Sequence, residues 1–153
     1  MPRPKNDRIV YEPPFYTEFK PAGVSSKSLE EVVLSLDEFE AVRLADLAGM
    51  SHEEAANEMG ISRSTFSRLI VKSRKKIADY FFHGKLLTIN GGNVHFRKNI
   101  IQCSDCGHMF KINMETSMTQ CPECNSKNLL SLAGGFGHGE CCRVKYIEYN
   151  TKK

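Results

Sequence analysis

Residues 51–77 read SHEEAANEMGISRSTFSRLIVKSRKKI. The stretch divides into a helix-forming run, a turn holding Gly60, and a second run studded with basic residues. That is the pattern by which a small protein lays one helix in the major groove of DNA. Ala55 and Ala56 are small where two helices would cross closely, and Gly60 stands where the turn requires a positive φ. Met59, Ile61, Phe66 and Leu69 supply the apolar positions that would lock the two helices together.

The flanks extend the pattern. Ser51 caps the first of these helices and forms a capping box with Glu54; Ser62 caps the next. That helix is expected to run to about His83, where Gly84 stops it. Its 3.6-residue period puts Phe66, Leu69, Ile70, Ser73, Ile77, Tyr80 and Phe81 on one face, expected to be buried. Ser64, Arg68, Val71 and Lys75 point the opposite way. Arg63, Ser67 and Arg74 flank that exposed face on one side, and Thr65, Lys72 and Lys76 on the other. An earlier helix is expected from Ser35 or Asp37 to Gly49, with Ser35 and Glu38 as its capping box. Its apolar stripe is Leu36, Phe39, Leu44 and Leu47, with Val42 at the edge and the Arg43 stem laid along it.

Charge separates sharply along the chain, although the net charge is only +3. Residues 29–58 hold nine of the 18 acidic residues and one base, Arg43. Residues 62–77 hold Arg63, Arg68, Lys72, Arg74, Lys75 and Lys76 and no acid. A basic stripe on the second helix of such a pair is the electrostatic footprint of a phosphate-binding surface.

Before residue 29 the chain reads as a basic, Pro-rich arm, since Pro2, Pro4, Pro13, Pro14 and Pro21 rule out a continuous helix. Arg3 and Lys5 are candidates to reach a minor groove, against the plainer expectation of a loosely packed terminus. After Gly84, KLLTI and NVHFRK flank Asn90, Gly91 and Gly92, a hairpin signal that could mark a small wing or simply the joint to the next module.

Cys103 and Cys106 form a Cys-x-x-Cys pair; 14 residues later Cys121 and Cys124 form another. Each pair can wrap a metal from a tight turn, and two pairs complete a tetrahedral thiolate site. One structural Zn²⁺ in a small β ribbon is the expectation, with a rubredoxin-like iron site as the minority alternative. His108, beside the first pair, is read as a bystander because the thiolates already fill the site. The tail GGFGHGECC (134–142) is read as a Gly-rich segment with two free thiols. A sharper reading makes His138, Cys141 and Cys142 ligands of a second metal or redox-sensing site. VKYIEY beyond it is a candidate closing strand.

The chain has 153 residues, 41% hydrophobic and 25% charged, a composition that fits one or two soluble globular domains. No run approaches the roughly 18 apolar residues of a membrane span. MPRPKNDRIV has no apolar signal region, so a cytoplasmic location is expected. Six cysteines in such a chain suggest metal or redox chemistry rather than disulfides. The expected divisions are an arm (1–28), a helix-turn-helix domain (29–92), a zinc-ribbon-like module (93–133) and a Gly- and Cys-containing tail (134–153).

The run LSLDEFEAVRLADLAGMSHEEAANEMGISRSTFSRLIVKSRKKIADYFFHGKLLTINGG (34–92), with the MPRP opening and FKPAG at 19–23, resembles an uncharacterised prokaryotic family of predicted DNA-binding proteins. That family carries a sigma-factor-like helix-turn-helix. The resemblance covers residues 1–92 and implies a fold similar to the fourth region of sigma factors, and DNA binding without a known target. The cysteine module departs from the minimal family pattern and is read from spacing alone.

The expected fold class is therefore a mainly α N-terminal helix-turn-helix domain, sigma region-four-like, plus a small β zinc ribbon. The expected function is a sequence-specific DNA-binding transcriptional regulator. Arg63, Ser64, Thr65, Ser67 and Arg68 are candidates for base edges, and Lys72, Arg74 and Lys75 for phosphates, with Ser51 and His52 as further phosphate candidates. Double-stranded DNA is the expected partner, RNA polymerase or another protein a further one, and a homodimer reading two half-sites is an expectation. The rivals are a protein- or RNA-interaction adaptor and a small iron carrier. No nucleophile–base pair, phosphate-cradling loop or open metal site is read, so an enzyme is not expected.

Overall fold

The computed structural model describes residues 7–113, 116, 118–138, 141 and 142. The chain divides into two compact units, one of Tyr16–Val94 with the residues up to Ile9, the other of Val10–Phe15 with the residues from His95 onward. In chain order come β1 (Arg8–Val10), β2 (Glu18–Phe19), β3 (Glu31–Leu34), α1 (Leu36–Val42), α2 (His52–Met59), α3 (Arg63–His83), β4 (Leu86–Ile89) and β5 (Val94–Phe96). They are followed by β6 (Lys98–Cys103), β7 (Met109–Asn113) and β8 (Leu129–Ser131).

The first unit is a mixed α/β body rather than the mainly α domain expected. β3 pairs in parallel with β4, from Glu31 opposite Leu86 to Leu34 opposite Ile89, and β2 pairs antiparallel with the other edge of β4. Parallel strands require a long crossover, and here the three helices supply it. In β3, Val32 and Leu34 are buried and Glu31 and Val33 exposed, the alternation of a strand covered on one face. α3 lies against β3 and β4 while also packing on α1 and α2.

The helix boundaries follow local chemistry. Ser35 and Ser51 each accept from the backbone of a Glu three residues on, whose side chain bonds back to the cap. The Ser62 hydroxyl accepts from Thr65 N. Gly60 (φ 68°) and Gly84 (φ 65°) end α2 and α3 in the left-handed region. Ala41, Leu44, Ala55, Ala56, Met59, Phe66, Leu69 and Ile70 form the buried core between the helices.

Several expectations are corrected. The hairpin across Asn90–Gly92 does not form, because β4 is the central strand between β2 and β3. Asn90 N instead donates to Leu34 O, and Gly91 O accepts from Leu36 N at the start of α1. Gly92 (φ 103°) also approaches closely: an added Cβ would lie 3.0 Å from Asp37 Oδ1. After α1 the helix widens into a π turn, Arg43–Leu47, closed by Ala48 N to Arg43 O at 2.8 Å. The wider turn rotates Leu47 off the apolar stripe, leaving it 82% exposed. Phe81, placed by periodicity on the buried face of α3, is 83% exposed, because the core stops at Ser73 and Ile77 and Tyr80 are only half-buried. Within the expected arm, Val10, Pro13 and Pro14 are buried and Tyr11 half-buried, whereas Phe15, Tyr16 and Phe19, the other aromatic residues that could have packed there, are exposed. Arg3, Lys5 and the VKYIEY strand lie outside the described residues.

The second unit holds a three-stranded antiparallel sheet in the order β7–β6–β8. Ile100 opposes Lys111, and Cys103, the last residue of β6, opposes Leu129 of β8. Among the described residues no helix is long and apolar enough to cross a membrane.

Candidate functional site

Three groups of residues concentrate chemistry: the outer face of α3, the cysteine knuckles at the end of β6, and a His/Cys cluster that includes His95 of β5. On α3, Arg63, Ser64, Arg68, Lys72, Arg74 and Lys75 are exposed, and Thr65 and Ser67 half-buried. Their environments differ. The Ser62 hydroxyl lies 3.3 Å from that of Ser64 and 2.8 Å from that of Thr65, so both belong to the cap network. The Ser67 hydroxyl lies 2.8 Å from His52 Nδ1, tying α3 to the first turn of α2. Arg74 donates through two nitrogens to Asp46, at 2.7 and 3.2 Å. That bidentate bond holds the Asp46 carboxyl below its usual range and raises the Arg74 guanidinium. Arg63, Arg68, Lys72 and Lys75 have no ion-pair partner among the described residues.

Arg68 and Lys72 border a groove of about 740 Å³, with Arg8, Lys76, Asp37 and Glu38 also on its walls. Two internal pairs already neutralise part of it, Arg8 with Asp37 at 2.5 Å and Lys76 with Glu38 at 2.7 Å. The acidity of the first helix is likewise turned inward. Asp37, Glu38 and Glu40 are 9%, 2% and 3% exposed, so three of the nine acids in 29–58 do not face solvent.

The two Cys-x-x-Cys pairs converge. Cys103 Sγ lies 3.5 Å from Cys124 Sγ, and Cys106 Sγ 3.6 Å from Cys121 Sγ, with all four sulfurs within 4.8 Å of one another. Four sulfurs about 2.3 Å from a central zinc would be about 3.8 Å apart, so the cradle fits a tetrahedral ion. The knuckles share one backbone design: Gly107 N donates to Cys103 O and Asn125 N to Cys121 O, each at 2.9 Å. Gly107 (φ 77°) and Asn125 (φ 62°) both take the left-handed conformation, which glycine and asparagine tolerate best. Asn125 is the counterpart of Gly107 in the second knuckle. Ser104 N donates to Asn128 O at 2.9 Å and fastens one knuckle to the other. His108 stacks on Phe110 and stands outside the sulfur cluster.

The thiols influence one another. The Cys106 backbone N–H lowers Cys103 to about 6. The Ser126 backbone N–H favours a Cys124 thiolate, but the Cys103 sulfur, loss of solvent and the other two sulfurs together push it up to about 12. The His108 backbone N–H acts the same way on Cys106, and lost solvation and neighbouring sulfurs again win, raising it. Four thiolates this close repel one another, and a divalent cation at their centre removes that cost. Such an ion would supply a covalent-strength cross-link between β6 and the Cys121–Cys124 loop.

A second cluster, His95, His138, Cys141 and Cys142, also gathers its donor atoms within 4.8 Å of one another. Sequence reasoning named three of its members and missed His95, which lies in β5, 43 positions before His138. Nothing local to His95 announces it.

The chain belongs to the family described as "Protein of unknown function DUF134", whose model matches residues 1–97. It is similar to a UPF0251 protein of Chloroherpeton thalassium, 46% identical over 84% of this chain and 85% of that one. A UPF0251 protein of Pelotomaculum thermopropionicum is 44% identical over 82% of this chain and 95% of its own. With a UPF0251 protein of Syntrophobacter fumaroxidans the identity is 42% over 93% of this chain and 96% of the relative. An alignment of that extent runs through the cysteine module as well as the helices. No solved structure matches the chain.

Proposed function

We propose that this member of the family is a sequence-specific DNA-binding protein that regulates transcription, with α3 in the major groove and one structural zinc on Cys103, Cys106, Cys121 and Cys124. The observation that carries the reading is the row of exposed cations Arg63, Arg68, Lys72 and Lys75 on α3, without ion-pair partners among the described residues and opposite the face that packs on α1 and α2. Cations without internal partners are the ones available to phosphates and base edges. Arg63 and Arg68, nearest the helix N-terminus, are assigned to bases and Lys72 and Lys75 to the backbone. The cap and His52 bonds of Ser64, Thr65 and Ser67 give these residues a second task, orienting α3.

The test is selection of genomic fragments by the purified chain, followed by affinity measurements across salt. Arg68→Ala should cost about 1–3 kcal/mol on the selected site and relax preference at one position. Lys75→Ala should weaken binding to all sequences and reduce the salt slope by about one. Unchanged affinity and preference in Arg68→Ala would overturn the groove assignment.

A second reading, a protein-docking adaptor with RNA polymerase or a second copy as partner, is favoured by one observation. Leu47, Phe81 and Phe82 are each more than 80% exposed. Binding that ignores DNA and salt but is lost in Phe82→Ser would favour it. A red oxidised protein would favour the iron carrier over either.

A further inference from the structure

The second cluster has the construction of a binding site rather than of a loose tail. β5 presents His95, and residues 131–138, which lead back to it, are fastened by hydrogen bonds. Asn99, 6% exposed, accepts from Ile100 N at 2.8 Å and from Ala133 N at 3.0 Å, and donates to Ser131 Oγ at 2.9 Å. Ala133 O in turn accepts from His138 N at 2.9 Å, closing the 3₁₀ turn Gly134–Phe136 and the left-handed Gly137. His138 is thereby set edge-on to Phe96 at 5.6 Å and to His95 at 5.7 Å.

The donor atoms then meet. His138 Nδ1 lies 3.2 Å from Cys141 Sγ, Cys142 Sγ 3.7 Å from His95 Nδ1, and the two sulfurs 3.9 Å apart. With metal–sulfur bonds of about 2.3 Å and metal–nitrogen bonds of about 2.0 Å, a tetrahedral ion requires edges of about 3.8 Å (S–S) and 3.5 Å (S–N). The observed separations depart from these by a few tenths of an ångström. The Phe96 backbone N–H donates to Cys142 Sγ at 3.1 Å, which holds that sulfur beside His95 Nδ1. Two sulfurs 3.9 Å apart are not a disulfide, whose S–S bond is about 2.0 Å.

We propose that His95, His138, Cys141 and Cys142 form a second metal site, for a zinc-class divalent ion, independent of the four-cysteine site. Two imidazoles and two thiolates are a borderline-soft donor set that suits zinc and disfavours calcium or magnesium. Cys142 is buried and Cys141 exposed, so the ion would sit at the surface with one sulfur facing solvent. Its structural effect is to clasp His138, Cys141 and Cys142 onto β5. The site does not depend on the DNA-binding reading, and its test does not use DNA.

The full-length reduced chain, stripped of metal, is titrated anaerobically with Co²⁺. Two equivalents should bind, giving superposed four-sulfur and two-sulfur/two-nitrogen spectra. The double variant His95→Gln/Cys141→Ser should bind one equivalent and keep the four-sulfur spectrum, which also reports that the unit is folded. Cys106→Ser/Cys124→Ser should show the converse. In the unmutated chain loaded with ¹¹³Cd, two resonances are expected, one for each donor set. A single equivalent of cobalt with a single four-sulfur cadmium resonance would overturn the proposal. So would a double variant that still binds two.

Discussion

At the scale of single residues, pairing sorts the charges of α3 into two kinds. Lys76 and Arg74 belong to the same basic run as Lys72 and Lys75, yet each is engaged internally. Lys76 Nζ donates to Glu38 at 2.7 Å and to Val33 O at 2.8 Å. Glu38 is 2% exposed, so removing its cation leaves a buried carboxylate with only the Ser35 contacts. Lys76→Ala is expected to lose about 1.5–3 kcal/mol of stability in urea unfolding, and Glu38→Gln in the same background should restore part of it. Arg74→Ala, by contrast, should weaken DNA binding less than Lys75→Ala in parallel titrations, because Asp46 already occupies its guanidinium. The exposed Asp46 pair contributes about 0–1 kcal/mol to stability, so this variant should stay folded. The basic run was legible in the sequence. Which of its members are engaged was not, since Asp46 and Glu38 approach from another helix.

At the scale of elements, capping and packing explain most of what was legible. The Ser35, Ser51 and Ser62 caps and the Gly60 and Gly84 stops involve residues at most four apart, so the chain encodes them locally. Gly60 is required by its φ of 68° rather than by crowding, since an added Cβ would meet only Ile9 Cδ1, at 3.7 Å. Gly60→Ala should therefore cost about 1–2 kcal/mol, and Gly60→Asn less, in the same unfolding assay. Phe66, fully buried between the helices, should cost about 3–5 kcal/mol as Phe66→Ala. Periodicity failed where geometry departed from an ideal helix or where the core ran out. The π turn at Arg43–Leu47 shifted Leu47 outward, and beyond Ser73 little of the unit remains to cover α3, so Phe81 emerged.

At the scale of the whole molecule, two units of different construction share one chain. The helical unit has a contiguous apolar core, whereas the second holds short strands and two Cys/His clusters that could hold a metal ion. Small cores of that kind depend on metal for folding free energy. Chelation is expected to accelerate amide exchange at Ile100–Cys103 while leaving the α3 amides protected; equal protection throughout would show that the sulfur cluster carries no folding energy. Caps, helix stops and the two Cys-x-x-Cys pairs could be read directly from the chain, because each is made by neighbours a few residues apart. The parallel pairing of β3 with β4 could not, nor the packing of the Pro-rich stretch, nor the meeting of His95 with Cys142. Those partners lie tens of residues apart, and what joins them is strand register and the burial of shared apolar faces, which no local pattern encodes.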